Sequence, residues 1–344
     1  LGVKSYVALD VTQDYYQHAI KYMIFGNVLK NSTYPISVSS ERISQATAIA
    51  RYAREIGAEY LCHGSTGAGN DQVRFDMIFN IVAPEIEVIA LIREKRLSRE
   101  EEIEYLRSHG VDFDFKKAEY SINQGIWGTS VGGKETLTSS ETLPEEAYPS
   151  QLKETEPRRV TLTFERGEFV ALDGKRYDDR IAAIQALQAV ASRYAVGRDM
   201  HVGDTIIGIK GRVGFEAAAP MVIIKAHHML EKHTLTKWQL FWKDQISAFY
   251  GNHLHEGQYY DPVMRDMEAM LESSQRTVSG DVYVDLHPYR FVVVGIDSPH
   301  DLMSNRFGAY GETMSDWTSE DVKGFGRIFG NQNKIYYQVN KEKL

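Results

Sequence analysis

The stretch HGSTGAGNDQVRFD, residues 63–76, sets three glycines, two hydroxyls and an Asn-Asp pair just ahead of an amphipathic helical pattern. Its backbone N–H groups on glycine supports, the hydroxyls of Ser65 and Thr66, and the amide and acid of Asn70 and Asp71 suit a polar, anionic ligand at a helix N-terminus. The plainer reading is a helix cap by Asn70 or Asp71, which such residues commonly provide, and spacing alone favours it. The apolar run AEYLC, residues 58–62, precedes the loop and reads as a strand. In open α/β sheets ligands sit at the carboxyl ends of strands, where this loop falls.

The pattern around the loop agrees. A strand SYVALDV (5–11), helices over about 14–29 and 40–57, a helix DQVRFDMIFNIV (71–82), a strand EIEVIALI (85–92) and a helix SREEEIEYLRSHG (98–110) alternate. Strands spaced by helices predict a doubly wound parallel sheet of the α/β class. From residue 112 the texture turns polar and loop-rich through GGKETLTSSETLPEEAYPSQLKETEPRR, a candidate boundary or a long functional loop. Beyond it RVTLTFERGEFVALDG alternates like a hairpin, DDRIAAIQALQAVASRYA is helical, and DTIIGIKGRVGFE and PYRFVVVGID read as strands. The expected division is an α/β domain over 1–112, an α+β domain over 113–330 and a tail over 331–344 that packs on a neighbouring subunit.

At 344 residues and 43% hydrophobic content the chain can bury a sizeable core. No apolar run approaches the roughly 18 residues of a membrane span, so no membrane partner is expected. The net charge of -8 argues against nucleic acid as a partner. Cys62 is the only cysteine, which excludes an internal disulfide and fits a reducing, cytoplasmic address. His228 and His233 lie five apart, poor spacing for one helical face, so no resident metal site is expected.

Several ordered motifs together resemble the argininosuccinate synthase family: the 63–76 loop, YPISVSS (34–40), YSINQGIWGTS (120–130), VGRDMHVGDTIIGIKGRVGFE (196–216), AHHMLEKHTL (226–235) and VSGDVYVDLHPYRFVVVGIDS (278–298). The resemblance implies a nucleotide-binding domain of the adenine nucleotide alpha hydrolase type joined to a synthetase and multimerisation domain, assembled as a homotetramer. It implies an ATP-dependent C–N ligase of arginine biosynthesis that joins citrulline to L-aspartate, with Mg²⁺ on the ATP phosphates. Thr66, Asn70 and Asp71 match aspartate-binding positions, with Asp71 as the candidate catalytic group holding the aspartate amine. Tyr34, Ser39, Asn70, Arg74, Ser121 and Ser130 match citrulline contacts, while His63, Gly64, Ser65, Thr66, Gly67 and Gly69 match the loop along ATP. By residue type alone, Tyr34 before Pro35 reads as a half-buried loop aromatic, and Ser121 and Ser130 as turn residues.

Three departures qualify the resemblance. The family opens with a serine- and glycine-rich ATP loop that this sequence does not contain; the chain begins at Leu1, and a unit of roughly 30 residues is expected to precede it. A rival class, a non-catalytic binding or regulatory relative, draws on that feature; an amidotransferase-type or tRNA-modifying ATP pyrophosphatase would call for cysteines or a basic surface. Ala68 stands where the family usually has lysine, with Lys210 or Arg212 as candidate replacements. Gly203 and Phe215 occupy citrulline-contact positions that in the family carry a glutamate and a tyrosine. Losing an anion that holds the substrate ammonium forfeits about 1.5–3 kcal/mol, so an N-acylated (acetyl or succinyl) citrulline, with Gly203 making room, is the alternative substrate. Asp204 is the candidate to compensate if citrulline is free.

Overall fold

The computed structural model describes residues 3–67, 69–111, 120–304, 308, 311 and 316–341. It forms two compact units, Leu1–His300 and Asp301–Leu344. Ala68 and the proposed boundary at residue 112 lie outside the described residues.

The first unit opens with helical turns α1 (Thr12–Tyr15), a π-helical turn (Tyr16–Ile20) and α2 (Lys21–Phe25), which bury Tyr15, Tyr16, Ile20, Met23, Ile24 and Phe25. The strand expected over residues 5–11 is absent. No described strand pairs with that segment, and Tyr6 is 87% exposed; alternating apolar residues hold a strand only when a neighbour takes up their backbone hydrogen bonds. Helix α3 (Ser37–Glu55) follows a left-handed Ile36 at φ 48°, a conformation a β-branched residue adopts only where its surroundings impose it. Ile36 is fully buried.

Strand β1 (Tyr60–Cys62) runs parallel to β2 (Glu87–Ile89), with Leu61 opposite Val88, and α4 (Asp71–Val82) connects them. This βαβ unit represents the parallel sheet among the described residues. The second strand is shorter than the run 85–92 suggests. It ends at Ile89 because Glu94 accepts a hydrogen bond from the Ala90 N–H at 3.0 Å and starts α5 (Leu91–Lys95). Helix α6 (Arg99–Ser108) has a complete capping box between Ser98 and Glu101.

Two antiparallel sheets build the rest of this unit. Strands β3 (Ser121–Gly125), β4 (Gly128–Gly132), β8 (Arg198–Asp204) and β9 (Lys210–Glu216) pair in the order β3-β4-β9-β8. Strands β5 (Arg158–Glu165), β6 (Glu168–Leu172), β7 (Lys175–Arg176), β10 (Gly280–His287) and β11 (Arg290–Asp297) pair in the order β11-β10-β5-β6-β7. The hairpin expected over 159–174, helix α7 (Arg180–Ala191) and a strand within the expected 288–297 are all present, whereas DTIIGIKGRVGFE divides between the end of β8, a turn and β9. Val160, Leu162 and Phe164 of β5 and Val282, Val284 and Leu286 of β10 point into the core at period two. Helix α8 (Ala218–Thr234) buries Val222, Ile223, Ala226 and Leu230 against this core. Helix α9 (Lys237–Glu256) and α10 (Val263–Ser274) complete it, and among the described residues no helix is long and apolar enough to cross a membrane.

The second unit contains α11 (Ser319–Phe329), capped by Thr318 and Asp321, and α12 (Asn331–Asn340). The tail expected over 331–344 is thus helical where it is described.

Candidate active site

The loop after β1 does not merely cap α4. Asn70 stands at the N-cap position without a side-chain capping bond; its Oδ1 instead accepts a hydrogen bond from Ile206 N–H at 2.8 Å, from the turn between β8 and β9. The amide therefore ties the loop to the other sheet, and a cleft of about 560 Å³ opens between them. Its walls come from Tyr34, Val38 and Ser39 before and within α3, Gly64 to Thr66 and Gly69 to Asp71 in the loop, and Arg74 of α4. Ser121, Asn123 and Ser130 of the β3–β4 hairpin, His201, Gly203 and Asp204 of β8, Arg212 of β9 and His255 of α9 also line it.

Arg74 is the hub. It is 4% exposed; its Nε donates to the His255 carbonyl at 2.9 Å and its Nη1 to Asp71 Oδ1 at 2.7 Å, while Nη2 is buried without a partner. Burial pushes its pKa below the usual guanidinium value, with Asp71 opposing. Arg42 donates to the other Asp71 oxygen at 3.1 Å and to Asn123 Oδ1 at 3.1 Å, so the Asp71 carboxylate is held between two arginines. A fixed fork of this kind orients a carboxylate and leaves donors over for a ligand. Tyr34 is 4% exposed rather than half-buried, accepts hydrogen bonds from Ser37 Oγ and Val38 N–H, and burial raises its phenol pKa. Ser39 Oγ and His255 Nδ1 share a hydrogen bond of 3.0 Å. Burial, then Arg74, Lys30 and His201, bring His255 down to about 2, so this imidazole is neutral.

The structure does not bring every expected residue into the cleft. His63 lies behind the loop: its Nδ1 accepts from Ser65 N–H at 3.2 Å and its Nε2 donates to Asp76 at 3.0 Å, which fixes the loop's path. Gly67 is fastened from outside, its carbonyl accepting from Gln72 at 2.5 Å. Phe215 is fully buried behind Tyr34, ring centroids 5.4 Å apart. Gly203 opens no room for an acyl group, because the His201 ring lies over it: a Cβ there would stand 2.5 Å from His201 Nε2. Asp204 pairs with Lys210 at 2.6 Å on exposed side chains, which sets two of the three candidates for compensation against each other. Arg212 donates to the carbonyls of Thr138 and, at 2.9 Å, Glu141.

Sequence reasoning missed Arg42, Asn123, His201 and His255. The first is separated from Asp71 by 29 positions with no local signal; His201 was legible only as the residue two before a strand glycine, on the same face.

Glu41, next to Arg42, is a buried carboxylate whose Oε2 fills the space that a side chain at Gly125 would need. Burial raises it to about 7, against Arg42 and Gln45 and with a small push from Asp71. Because the folded value lies above the ordinary 4.5, the stability this group contributes is full below that pH and is lost as pH rises through about 7. Glu41→Gln is expected to flatten the fall in the urea unfolding midpoint between pH 5 and pH 8; identical falls in variant and parent would show that Glu41 ionises freely in the fold.

The fold and cleft define an α/β nucleotide-binding domain that shares one polar, arginine-centred cleft with an α+β domain. Comparison with known proteins gives the family. The model of the arginosuccinate synthase N-terminal HUP domain matches residues 1–112, and that of the C-terminal domain matches residues 120–336. Argininosuccinate synthase of Dictyoglomus turgidum is 35% identical over 338 residues, covering 98% of this chain and 85% of the relative. That of Methanocaldococcus jannaschii is 32% identical, covering 100% and 87%, and that of Pyrococcus furiosus 32%, covering 98% and 82%. The chain belongs to the argininosuccinate synthase family.

Proposed function

We propose that this protein is the ATP-dependent ligase that condenses citrulline with L-aspartate. The ureido oxygen of citrulline attacks the α-phosphorus of ATP and pyrophosphate leaves; the aspartate amine then attacks the ureido carbon of the adenylate, AMP leaves, and argininosuccinate forms. No side-chain nucleophile is needed, so the protein's contribution is positioning and charge compensation. The observation that carries the reading is the buried Arg74 with its spare donor, in a cleft that also holds Tyr34, Ser39, Ser121 and Ser130.

In this reading Arg74 and the hydroxyls orient citrulline, and Gly64 to Thr66 with Gly69 lie along the nucleotide. Thr66, Asn70 and Asp71 receive aspartate, with Asp71 facing the incoming amine while Arg42 and Arg74 hold its carboxylate in place. Among the described residues the cleft offers no free carboxylate set to magnesium, since Asp71 is held by two arginines and Asp204 by Lys210. Mg²⁺ is therefore read as arriving on the triphosphate, where it neutralises phosphate charge. A homotetramer agrees with the exposed apolar residues of α11, Val322, Phe325, Ile328 and Phe329, and with Trp238, Phe241 and Trp242 on α9. A cytoplasmic address agrees with the single free Cys62.

The test is pyrophosphate release by the full-length gene product with ATP, Mg²⁺ and aspartate, adding citrulline, acetylcitrulline or succinylcitrulline in parallel. Release is expected with citrulline. Release only with an acylated form would change the substrate, and silence with all three would favour a non-catalytic relative.

A further inference from the structure

One imidazole in the cleft has no hydrogen-bond partner among the described residues. His201 lies on β8 two residues before Gly203, so both face the cleft. Its ring stacks on Tyr34 at 5.1 Å between centroids and 25° between planes, and the residue is 5% exposed. The ring lies over Gly203 in a pose that only glycine permits, since a Cβ there would come within 2.5 Å of Nε2 and 3.2 Å of Cε1.

Neither ring nitrogen has a hydrogen-bond partner among the described residues, and Nδ1 is sealed from solvent. A sealed nitrogen is tolerated better as a bare acceptor than as an orphan N–H, which places the proton of the neutral ring on Nε2, beside Gly203. Burial, then Lys30, lowers the pKa of His201 and keeps it neutral. The other titratable groups around it are Tyr34, Arg74 and His255; of the two acids on its own strand, Asp199 is exposed and accepts from the Met200 N–H, and Asp204, at the cleft, is engaged by Lys210. The same cleft holds the unpartnered Nη2 of Arg74. The buried Nη2 of Arg74 and the Nε2–H of His201, two donors without hydrogen-bond partners among the described residues, in a cleft whose carboxylates are already paired, suit an oxyanion of the substrate.

We infer that His201 is a specificity-determining residue, whose Nε2–H, laid over Gly203, donates to the carboxylate of citrulline alongside Arg74. The inference rests on the citrulline reading above. It is tested on the full-length protein with the variants His201→Ala, His201→Gln and Gly203→Ala, comparing citrulline with citrullinamide. His201→Ala raises the KM for citrulline about tenfold, the worth of one such hydrogen bond, while the KM values for aspartate and ATP stay within about twofold. Its preference for citrulline over citrullinamide falls by the same factor. Gly203→Ala, whose methyl displaces the ring, reproduces this, and His201→Gln, which returns a neutral N–H at similar reach, restores most of the loss.

An unchanged citrulline KM in His201→Ala overturns the inference, as does an equal rise with citrulline and citrullinamide. A lowered unfolding midpoint with no rescue by His201→Gln would make the ring a packing element against Tyr34 and overturn it too. A parent protein that turns over ATP and aspartate with no citrulline derivative overturns the citrulline reading and this inference together.

Discussion

Arg74→Leu lowers kcat/KM for citrulline by about a hundredfold to a thousandfold, and Arg74→Lys does not recover it. The side chain is buried and bonds Asp71 and the His255 carbonyl while keeping Nη2 in reserve. Truncating one partner of a buried, hydrogen-bonded charge pair costs about 2–5 kcal/mol, and each 1.36 kcal/mol is about tenfold in rate. Lysine carries the charge but presents a point rather than a planar fork, and cannot reach Asp71, His255 and a substrate at once. Steady-state kinetics on both variants, with unfolding midpoints as a control for folding, decide it. Full activity in Arg74→Lys would mean that charge alone matters and that the spare donor is not used.

The second large effect lies in the core. Glu231 and Lys243 are fully buried and paired at 2.9 Å; Lys243 also donates to the Phe25 carbonyl at 3.1 Å, and Gln275 and Asn27 donate to the Glu231 carboxylate at 2.8 and 2.5 Å. His227 shares hydrogen bonds with Asn27 and Gln275, and burial lowers it to about 4. Lys243→Met leaves the carboxylate buried and unpaired and is expected to cost about 3–5 kcal/mol, read as a drop in the urea midpoint. The double variant Glu231→Leu/Lys243→Met should recover more than half, because an apolar pair has no charge to desolvate. Burial alone would raise the Glu231 pKa, but His227, Lys243 and Gln275 outweigh it and hold it low. With a depressed folded value, the stability from Glu231 is present above the ordinary carboxylate pKa and is lost as pH falls. A double variant no more stable than Lys243→Met would locate the penalty in packing rather than in the stranded charge.

The amphipathic period of residues 71–82 placed α4 at its full length, and the alternation in 158–172 and 290–297 placed three strands of the antiparallel sheet. Those signals are local: a helix face or a strand face must be apolar to be buried, and the period shows which element does it. The segment 5–11 has the same alternation and forms no strand, because pairing is a property of neighbours rather than of the segment. The shortened β2 reflects a competing local signal, the Glu94 carboxylate that starts α5.

The candidate site divides along the same line. By itself the sequence determined many of the residue types that converge on the cleft, the loop that carries several of them and the family they resemble, since ordered motifs survive without coordinates. Only the tertiary structure decided that Asn70 clasps the β8–β9 turn rather than capping α4, that His63 and Phe215 stand behind the cleft, and that His201 fills the space beside Gly203. The reason is physical: a side chain's role depends on what lies within about 3 Å of its polar atoms, and here those partners come from 136 positions away for Asn70 and 181 for Arg74.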